Sequence, residues 1–260
     1  MKIVVCIKQV PDTTEVRLDP KTGTLIREGV PSIINPDDKS GLEAALQLKD
    51  EFGAHVTVLT MGPQQAEAAL REALAMGADR AILLTDRAFA GSDTWATSCT
   101  LAAAIKNLEY DLIIAGRQAI DGDTAQVGPQ IAEHLNLPQV SYVEDLKYDG
   151  SSFILKRVFE DGYHLVKVGK PCLITTLKEM NEPRYMSVMG IFDAYREKQI
   201  EVWNLKDITV ERSYLGLEGS PTKVKKSFTK GAKTAGKVFE VDHKEAAKII
   251  VDKLKEKYII

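Results

Sequence analysis

Apolar and polar residues alternate with two different periods along the first 135 residues of the chain. Four short apolar runs predict strands, at residues 3–10, 55–61, 80–84 and 111–115. The stretches between them carry apolar residues at helical spacing and predict helices at residues 36–51, 64–76 and 93–108. Strands that alternate with helices are typical of a parallel sheet with crossover connections. The pattern therefore predicts a doubly wound, mostly parallel, Rossmann-like α/β fold.

Two segments interrupt this alternation. Residues 16–27 read as a hairpin that projects from the sheet. From residue 140 to residue 176 the pattern becomes antiparallel, with residues 153–158 and 163–168 facing each other across a four-residue turn. We expect this second segment to extend the same sheet.

The dense apolar periodicity ends after about Lys198, although residues 243–258 predict a final helix. We therefore expect an α/β nucleotide-binding domain at residues 1–198 and, at residues 199–260, an arm and helix that pack on another chain. Residues 222–237 of this arm contain six lysines and no acidic residue. We interpret them as a solvated, flexible stretch in preference to a polyanion site.

Charge and cysteine content argue against several classes of protein. The formal net charge of −3 gives no general field for attracting nucleic acid. No apolar run approaches the roughly 20 residues needed to cross a bilayer, and Met1 leads into a strand pattern without a secretion signal. Three cysteines without a C-x-x-C pair argue against disulfides and zinc. We therefore expect a cytoplasmic protein without a metal site, nucleic-acid binding or membrane insertion.

The longest polar loop runs from residue 115 to residue 129, directly after a predicted strand. Ligands of open α/β sheets bind beyond the carboxyl ends of the strands, and connections there usually need only about two to six residues. Thr124 and Gln126 can bond to phosphate or sugar oxygens. Asp121 and Asp123 would repel phosphate, so ribose hydroxyls or helix N–H groups are their expected partners.

The glycines of this loop and a local alternative complete the interpretation. Gly116, Gly122 and Gly128 permit close backbone approach or a positive φ. Alternatively, Asp123 and Gln126 form a capping box for the helix that follows, and capping is compatible with binding. The first strand is followed by neither a Gly-x-Gly-x-x-Gly nor a Walker lysine motif.

The stretch Gln118-Ala119-Ile120-Asp121-Gly122-Asp123-Thr124-Ala125-Gln126-Val127-Gly128 resembles the nucleotide loop of electron-transfer flavoprotein beta subunits. Supporting matches are Lys8-Gln9-Val10-Pro11-Asp12-Thr13, Asn35-Pro36, the segment 73–79 and Asn181-Glu182-Pro183-Arg184-Tyr185. The resemblance covers nearly the whole chain. It implies that this chain works only as part of a heterodimer with an alpha subunit.

The resemblance also implies an adenine-nucleotide site. The residues expected there are Cys6, Ile7, Lys8, Asn35, Asp37, Asp38, Met61, Gly62, Asp93, Thr94, Thr97, Gly116, Arg117, Gln118, Ala119, Asp121, Gly122, Asp123, Thr124, Gln126 and Val127. Ordinary members hold structural AMP in this site, whereas electron-bifurcating members hold FAD. The chain resembles the second group in its Lys-Gln-Val-Pro-Asp-Thr and Gly-Asp-Thr motifs and in residues 89–97, so we expect FAD.

The mechanism implied by this resemblance is hydride transfer from NADH to the FAD, after which the two electrons diverge. One electron goes to an alpha-subunit FAD and an acyl-CoA-dehydrogenase-type partner, and the other to ferredoxin or flavodoxin. No side chain is expected to act as an acid or a nucleophile, because the flavin carries the chemistry. Arg117 is a candidate positive charge near the flavin or, equally, an exposed loop arginine.

A second resemblance concerns docking of the dehydrogenase. Met180, Asn181, Glu182, Pro183, Arg184 and Tyr185 resemble the recognition loop that inserts an apolar side chain into that partner. A leucine precedes the asparagine in familiar members, and Met180 stands there in this chain. The alternative is a plain connection between sheet and helix.

Two other functions compete with the bifurcating assignment. The first is an ordinary carrier, in which this chain binds AMP and performs no redox chemistry. The second is an ATP-consuming hydrolase or adenylating enzyme, which would need a phosphate-gripping motif after the first strand. Cys6-Ile7-Lys8-Gln9 is not such a motif.

Overall fold

The computed structural model describes residues 1–12, 31–223 and 236–260. The chain forms two compact units, Met1–Lys225 and Lys226–Ile260. The hairpin expected at residues 16–27 and most of the lysine-rich stretch lie outside the described residues.

The first unit contains all the described strands. They are β1 (Lys2–Cys6), β2 (Gln9–Pro11), β3 (Ser32–Ile34), β4 (His55–Met61), β5 (Arg80–Leu84), β6 (Leu112–Gly116), β7 (Gln139–Tyr148), β8 (Ser152–Phe159), β9 (Gly162–Gly169), β10 (Cys172–Thr176) and β11 (Ile200–Trp203). Its helices are α1 (Pro36–Phe52), α2 (Glu67–Met76), α3 (Thr94–Ile105), α4 (Val127–Leu135), α5 (Val188–Arg196) and α6 (Gly216–Gly219). Within these described residues no helix has the length and apolar character that a membrane span requires.

Nine of these strands form one sheet in the order β11-β5-β4-β1-β6-β10-β7-β8-β9. All neighbours from β11 to β7 are parallel, and only the β7-β8 and β8-β9 pairs are antiparallel. The predicted α/β class and the antiparallel extension are confirmed. The expectation that the whole segment 140–176 is antiparallel is wrong, because β10 inserts between β6 and β7 and runs parallel to both.

Helices cover both faces of the sheet, which makes it doubly wound. Successive side chains of a strand point to opposite faces. Accordingly, Ile3 and Val5 of β1 belong to the core under α1 and α2, whereas Val4 and Cys6 belong to the core under α3 and α4. The chain runs from β1 outward through β4 to β5 and then returns to the other side of β1 at β6. The β1-β6 boundary is therefore the switch point of the topology.

The first predicted strand, residues 3–10, is divided in two. The Ile7 N–H still donates to the Leu59 carbonyl at 3.0 Å, but the Lys8 N–H donates to the Asp38 carboxylate at 2.7 Å. This side-chain contact turns the chain out of the large sheet, and β2 then pairs with β3 in a separate two-stranded sheet.

The first unit continues past the predicted boundary at Lys198. Strand β11 pairs in parallel with β5, and Ile208 and Leu215 are buried in the core under α3 and α4. In the second unit, α7 (His243–Glu256) has its N-terminus capped by the Asp242 carboxylate, which accepts from the Lys244 N–H at 2.8 Å. The predicted final helix is therefore present and ends two residues early.

Candidate functional site

The carboxyl ends of β1, β4, β5 and β6 open onto a cleft of about 1050 Å³. It lies at the switch point of the sheet, where ligands of open α/β folds bind. Small-molecule sites have volumes of roughly 300 to 1,000 Å³. The cleft is thus large enough for a ligand of considerable length.

Most of the residues expected at a nucleotide site line this cleft. They are Cys6, Ile7, Lys8, Asp38, Met61, Gly62, Asp93, Thr94, Thr97, Gly116, Arg117, Gln118, Ala119, Gly122, Thr124, Gln126 and Val127. Four of the expected residues lie outside the lining: Asn35, Asp37, Asp121 and Asp123.

Asp38 joins the two central strands at the base of the cleft. Its carboxylate accepts from the Lys8 N–H at 2.7 Å, after β1, and from the Gly116 N–H at 2.9 Å, at the end of β6. A Cβ on Gly116 would collide with the same carboxylate, so only glycine allows this approach. The turns that border the cleft are therefore held together by one buried side chain.

Asn35 holds the long loop after β6. It occupies the N-cap position of α1, with Pro36 following, but its side chain makes no capping bond. Instead its amide donates to the Gln118 carbonyl at 2.8 Å and accepts from the Ile120 N–H at 3.0 Å. A capping bond from this side chain does not form, because tertiary hydrogen bonds to the loop take both of its polar atoms.

Arg117 lies on the cleft lining but is paired. Its Nε is 3.4 Å from the Asp37 carboxylate, and its guanidinium lies 5.9 Å above the Tyr142 ring. Burial raises the pKa of Asp37, and the Arg117 charge opposes that shift. Asp37 also accepts from the Lys178 N–H at 3.0 Å. Part of the positive charge of Arg117 is thus balanced within the protein.

The capping box considered for the loop does not form. Asp123 accepts from the Gln118 amide at 2.8 Å, and Gln126 accepts from the Thr94 hydroxyl at 2.8 Å. Helix α4 begins at Val127 without a side-chain capping bond. The capping alternative is therefore wrong, because both side chains bond within the loop or across to α3.

The backbone of the loop departs from the glycine expectation at one position. A Cβ on Gly128 would lie 2.7 Å from Thr175 Cγ2, which confirms a need for close approach. Gly122 has open space around it and no positive φ, whereas Asp123 and Ala125 have φ values of 50° and 52°. A non-glycine residue with a positive φ has a strained backbone, and such strain is common at functional sites.

Asp121 pairs with Lys8 at 2.6 Å. This ion pair links the loop after β6 to the turn after β1. It gives Asp121 a protein partner in place of the ribose hydroxyl or helix N–H that the sequence suggested.

The two helices that begin at the cleft differ in their N-termini. Asp93 caps α3, accepting from the Ala96 N–H at 3.0 Å. Helix α4 has no side-chain cap, so the N–H groups of Val127 and Gly128 in its first turn are open to an anion. Because a carboxylate at the start of α3 repels phosphate, a diphosphate fits at α4 and an uncharged group fits beside Thr94 and Thr97 on α3.

Several lining residues were not identified individually from the sequence. They include Thr85, Asp86, Arg87, Phe89, Ala90, Gly91 and Ser92 between β5 and α3, and Gln64, Leu101 and Ala125 elsewhere. These residues between β5 and α3 form a polar loop from residue 85 to residue 94. Its length was the available signal, but which of its side chains turn inward depends on tertiary packing.

The segment expected to dock a partner is partly turned inward. Met180 packs against the core, and Asn181 exchanges hydrogen bonds with Ser40, both at 3.0 Å. Arg184 pairs with Glu43 at 2.8 Å. Tyr185, in contrast, is 97% exposed. The exposed apolar side chain of this segment is therefore Tyr185, and Met180 is not.

The buried carboxyl group of Asp38 is expected to make the free energy of unfolding depend on pH. Burial raises the pKa of its carboxyl group to about 7, although hydrogen bonds from Asn35, Lys8 and Gly116 oppose the shift. An unfolded aspartate has a pKa of about 3.9. Between these values the folded chain keeps a proton that the unfolded chain has released, so this group makes the free energy of unfolding fall as the pH rises.

The measurement is urea unfolding of the nucleotide-free chain from about pH 4 to about pH 8, beside Asp38→Asn. We expect the wild type to lose stability relative to the variant across this window. A stability difference between the two that stays constant with pH would contradict the assignment.

The fold and the cleft define an α/β protein with a small-molecule site at the switch point of its sheet. The family model for the electron transfer flavoprotein domain matches residues 22–208. The chain therefore belongs to the electron transfer flavoprotein family, which confirms the resemblance drawn from its motifs.

Three relatives match over the full length of both chains. The chain is 63% identical to the electron transfer flavoprotein subunit beta of Clostridium acetobutylicum. It is 59% identical to the caffeyl-CoA reductase-Etf complex subunit CarD of Acetobacterium woodii and 49% identical to the acryloyl-CoA reductase electron transfer subunit gamma of Anaerotignum propionicum. Each alignment covers 100% of this chain and 100% of the relative.

Proposed function

We propose that this chain is the FAD-binding beta subunit of an electron-bifurcating flavoprotein. In this function the cleft holds FAD, NADH is the hydride donor, and electrons leave to an alpha-subunit FAD and to ferredoxin or flavodoxin. The alpha subunit in turn serves an acyl-CoA-dehydrogenase-type partner. The observation that carries the proposal is a single cleft that reaches the N-termini of two helices. A carboxylate caps α3, whereas α4 has no side-chain cap.

The two helix starts match two parts of FAD, the diphosphate and the flavin ring. The uncapped start of α4 suits the diphosphate, since free N–H groups and the helix dipole attract anions. Thr94 and Thr97 supply hydroxyl groups along the first turns of α3, where an uncharged ring and its polar edge can bind. AMP would occupy the α4 end alone and leave the α3 wall unused.

The chain's own groups bind and orient the cofactor and do not supply acid, base or nucleophile. FAD, when bound, accepts hydride from a nicotinamide and releases electrons singly. Cys6 stays a thiol, because burial, with a contribution from Asp38, raises its pKa to about 12. The names of two relatives place them in complexes with CoA-ester reductases, which supports a partner of that chemistry.

Two further parts of the proposal rest on surface properties. The second unit presents Ile250, Val251 and Ile260 to solvent, and we propose that it packs on the alpha subunit. All three cysteines are free, which supports a cytoplasmic location.

The deciding experiment is a count of cofactors in the complex purified with its alpha subunit. Two FAD per heterodimer, no AMP and reduction of both flavins by NADH are the expected result. One FAD and one AMP, without NADH reactivity, would instead establish the ordinary-carrier function.

Docking is proposed at the surface formed by Tyr185 and α5. Val188, Met189, Phe192 and Tyr195 are all exposed beside Tyr185. Scattered apolar residues need no explanation, but these four exposed apolar side chains on one nine-residue helix are typical of an interaction surface. The recognition-loop resemblance points to the dehydrogenase as its partner.

We expect Tyr185→Asp to slow electron delivery to the dehydrogenase at least about tenfold, because a carboxylate would be desolvated in an apolar contact. FAD content and the free energy of unfolding should be unchanged, since Tyr185 is exposed. Tyr163→Asp, which alters an exposed tyrosine on β9, is the control. Equal rates of electron delivery by the wild type, Tyr185→Asp and Tyr163→Asp would place docking on another surface. Met180→Asp is a poorer test, because Met180 packs against the core.

A further inference from the structure

We propose that Thr222 and Ser220 are positioning residues of the cleft, which act through Asp93 to hold the first turn of α3 at the flavin end of the site. The proposal rests on the proposed function, because it assumes that FAD reaches α3. Neither residue lines the cleft, and both lie beyond the matched family domain, which ends at residue 208.

The carboxylate of Asp93 is divided between two elements. Its Oδ1 caps α3 by accepting from the Ala96 N–H at 3.0 Å. Its Oδ2 accepts from both the N–H and the hydroxyl of Thr222, at 2.9 and 2.7 Å. Both oxygens are therefore occupied within the protein. Asp93 lies on the lining, but its carboxylate serves to orient α3.

Ser220 fixes the backbone of the same residue. Its hydroxyl is buried, accepts from the Asp93 N–H at 2.8 Å and donates to the Gly216 carbonyl at 2.7 Å. Loss of this hydroxyl would leave a buried donor and a buried acceptor without partners, which is costly. Main chain and side chain of Asp93 are thus both held by residues 220 and 222.

The segment 216–222 also follows the loop that precedes Asp93. The Leu217 N–H donates to the Ala90 carbonyl at 3.0 Å. A Cβ on Gly91 would lie 3.0 Å from the Leu217 Cβ, and a Cβ on Gly216 would lie 2.5 Å from the Ala88 carbonyl oxygen. Because Ala90 and Gly91 line the cleft, this segment backs the wall from outside.

The charge of Asp93 strengthens these contacts. Burial favours the neutral acid, but hydrogen bonds from Ala96 and Thr222 hold the pKa of Asp93 below its usual value. The carboxylate is therefore ionised at neutral pH, and hydrogen bonds to an ionised acceptor are stronger than neutral ones. The Thr222 hydroxyl therefore holds Asp93 from behind the wall of the cleft.

A residue that only stabilised the fold would affect every ligand alike. A residue that positions α3 should affect FAD, which reaches Thr94 and Thr97, more than AMP, which binds at α4. The ratio of the two affinities, together with the absorption spectrum of bound flavin, separates positioning from general stability.

The experiment uses the full chain purified with its alpha subunit, freed of the cleft nucleotide and titrated separately with FAD and AMP. Thr222→Val keeps the shape of the side chain and removes its hydroxyl, and Thr222→Ser restores the hydroxyl. Ser213→Ala is the control. It removes a hydroxyl from the same part of the chain, but this hydroxyl bonds to Glu211 and does not contact Asp93.

We expect Thr222→Val to weaken FAD binding about fivefold, the size of one lost hydrogen bond, and to shift the flavin spectrum. AMP binding should change less than about twofold. Thr222→Ser and Ser213→Ala should resemble the wild type. Wild-type FAD affinity and spectrum in Thr222→Val, or equal weakening of both nucleotides, would overturn the positioning role. A wild-type complex that takes up AMP but no FAD would overturn the proposed function. It would also remove the assumption that a flavin binds beside α3.

Discussion

Gly116→Ala is expected to lower the free energy of unfolding by about 3 kcal/mol and to prevent nucleotide uptake. The new Cβ would collide with the Asp38 carboxylate and lie 2.8 Å from the Asp38 backbone nitrogen. Neither atom can move freely, because Asp38 lies in the first turn of α1 and also holds the Lys8 N–H. The clash therefore has to be relieved by moving the end of β6 away from the first turn of α1, which breaks the contact that holds the turns at the base of the cleft.

Gly122→Ala is the matched control in the same loop. It places a methyl group where no atom lies within 4 Å and where φ is not positive, so stability should change by less than about 0.5 kcal/mol. Urea unfolding of the nucleotide-free chains measures both variants. If Gly116→Ala were as stable as Gly122→Ala, the close approach of Asp38 to β6 would not exist in solution.

Local periodicity predicted several strands of the sheet, but it missed β11 and did not give the neighbours of β10. Strands β4 and β5 lie where apolar runs indicated, because their side chains fill both layers of the core. The segment at β10 carried the same kind of apolar signal, yet its insertion in parallel between β6 and β7 depends on contacts far along the chain. Strand order of this kind is not encoded in a short window.

The candidate site shows the same limit at the level of side chains. The strand-end rule and the family motif together identified the loops that border the cleft. They could not indicate that Asn35 binds the loop in place of capping α1, or that Gln126 reaches Thr94 on α3. Thr222 stands more than a hundred residues from Asp93 and carries no motif, so only the folded chain reveals their contact.

Helix α1 connects the cleft to the proposed docking segment. Asp37 and Asp38 in its first turn hold the loops at the cleft, whereas Ser40 and Glu43 bind Asn181 and Arg184. Asn181 and Arg184 of the Asn-Glu-Pro-Arg-Tyr motif thus anchor the segment, and the exposed ring of Tyr185 is left for a partner. A motif read from sequence does not distinguish these two roles.

This division predicts that Arg184→Met destabilises the fold by about 2 kcal/mol. The side chain of Glu43 is 6% exposed and accepts three hydrogen bonds from Arg184, from its N–H, Nε and Nη2, at 2.8 to 3.0 Å. Removing the guanidinium leaves a buried carboxylate short of partners, which is more costly than losing both charges. Because the Arg184 side chain is 32% exposed, solvent moderates the loss.

Arg80→Met is the control, because it breaks a pair of the same geometry in a different environment. Arg80 binds both oxygens of Glu201 at 2.6 and 2.7 Å, but the side chains are 36% and 42% exposed. Exposed pairs contribute little, so a loss below about 1 kcal/mol is expected. Adding Glu43→Gln to Arg184→Met should recover part of the stability, since the buried charge is then removed. Two results would contradict this role of Arg184: equal losses of unfolding free energy in Arg184→Met and Arg80→Met, or no recovery of stability in the double variant. Either would show that Glu43 does not become an unpaired buried charge and that its pair with Arg184 does not anchor the docking segment.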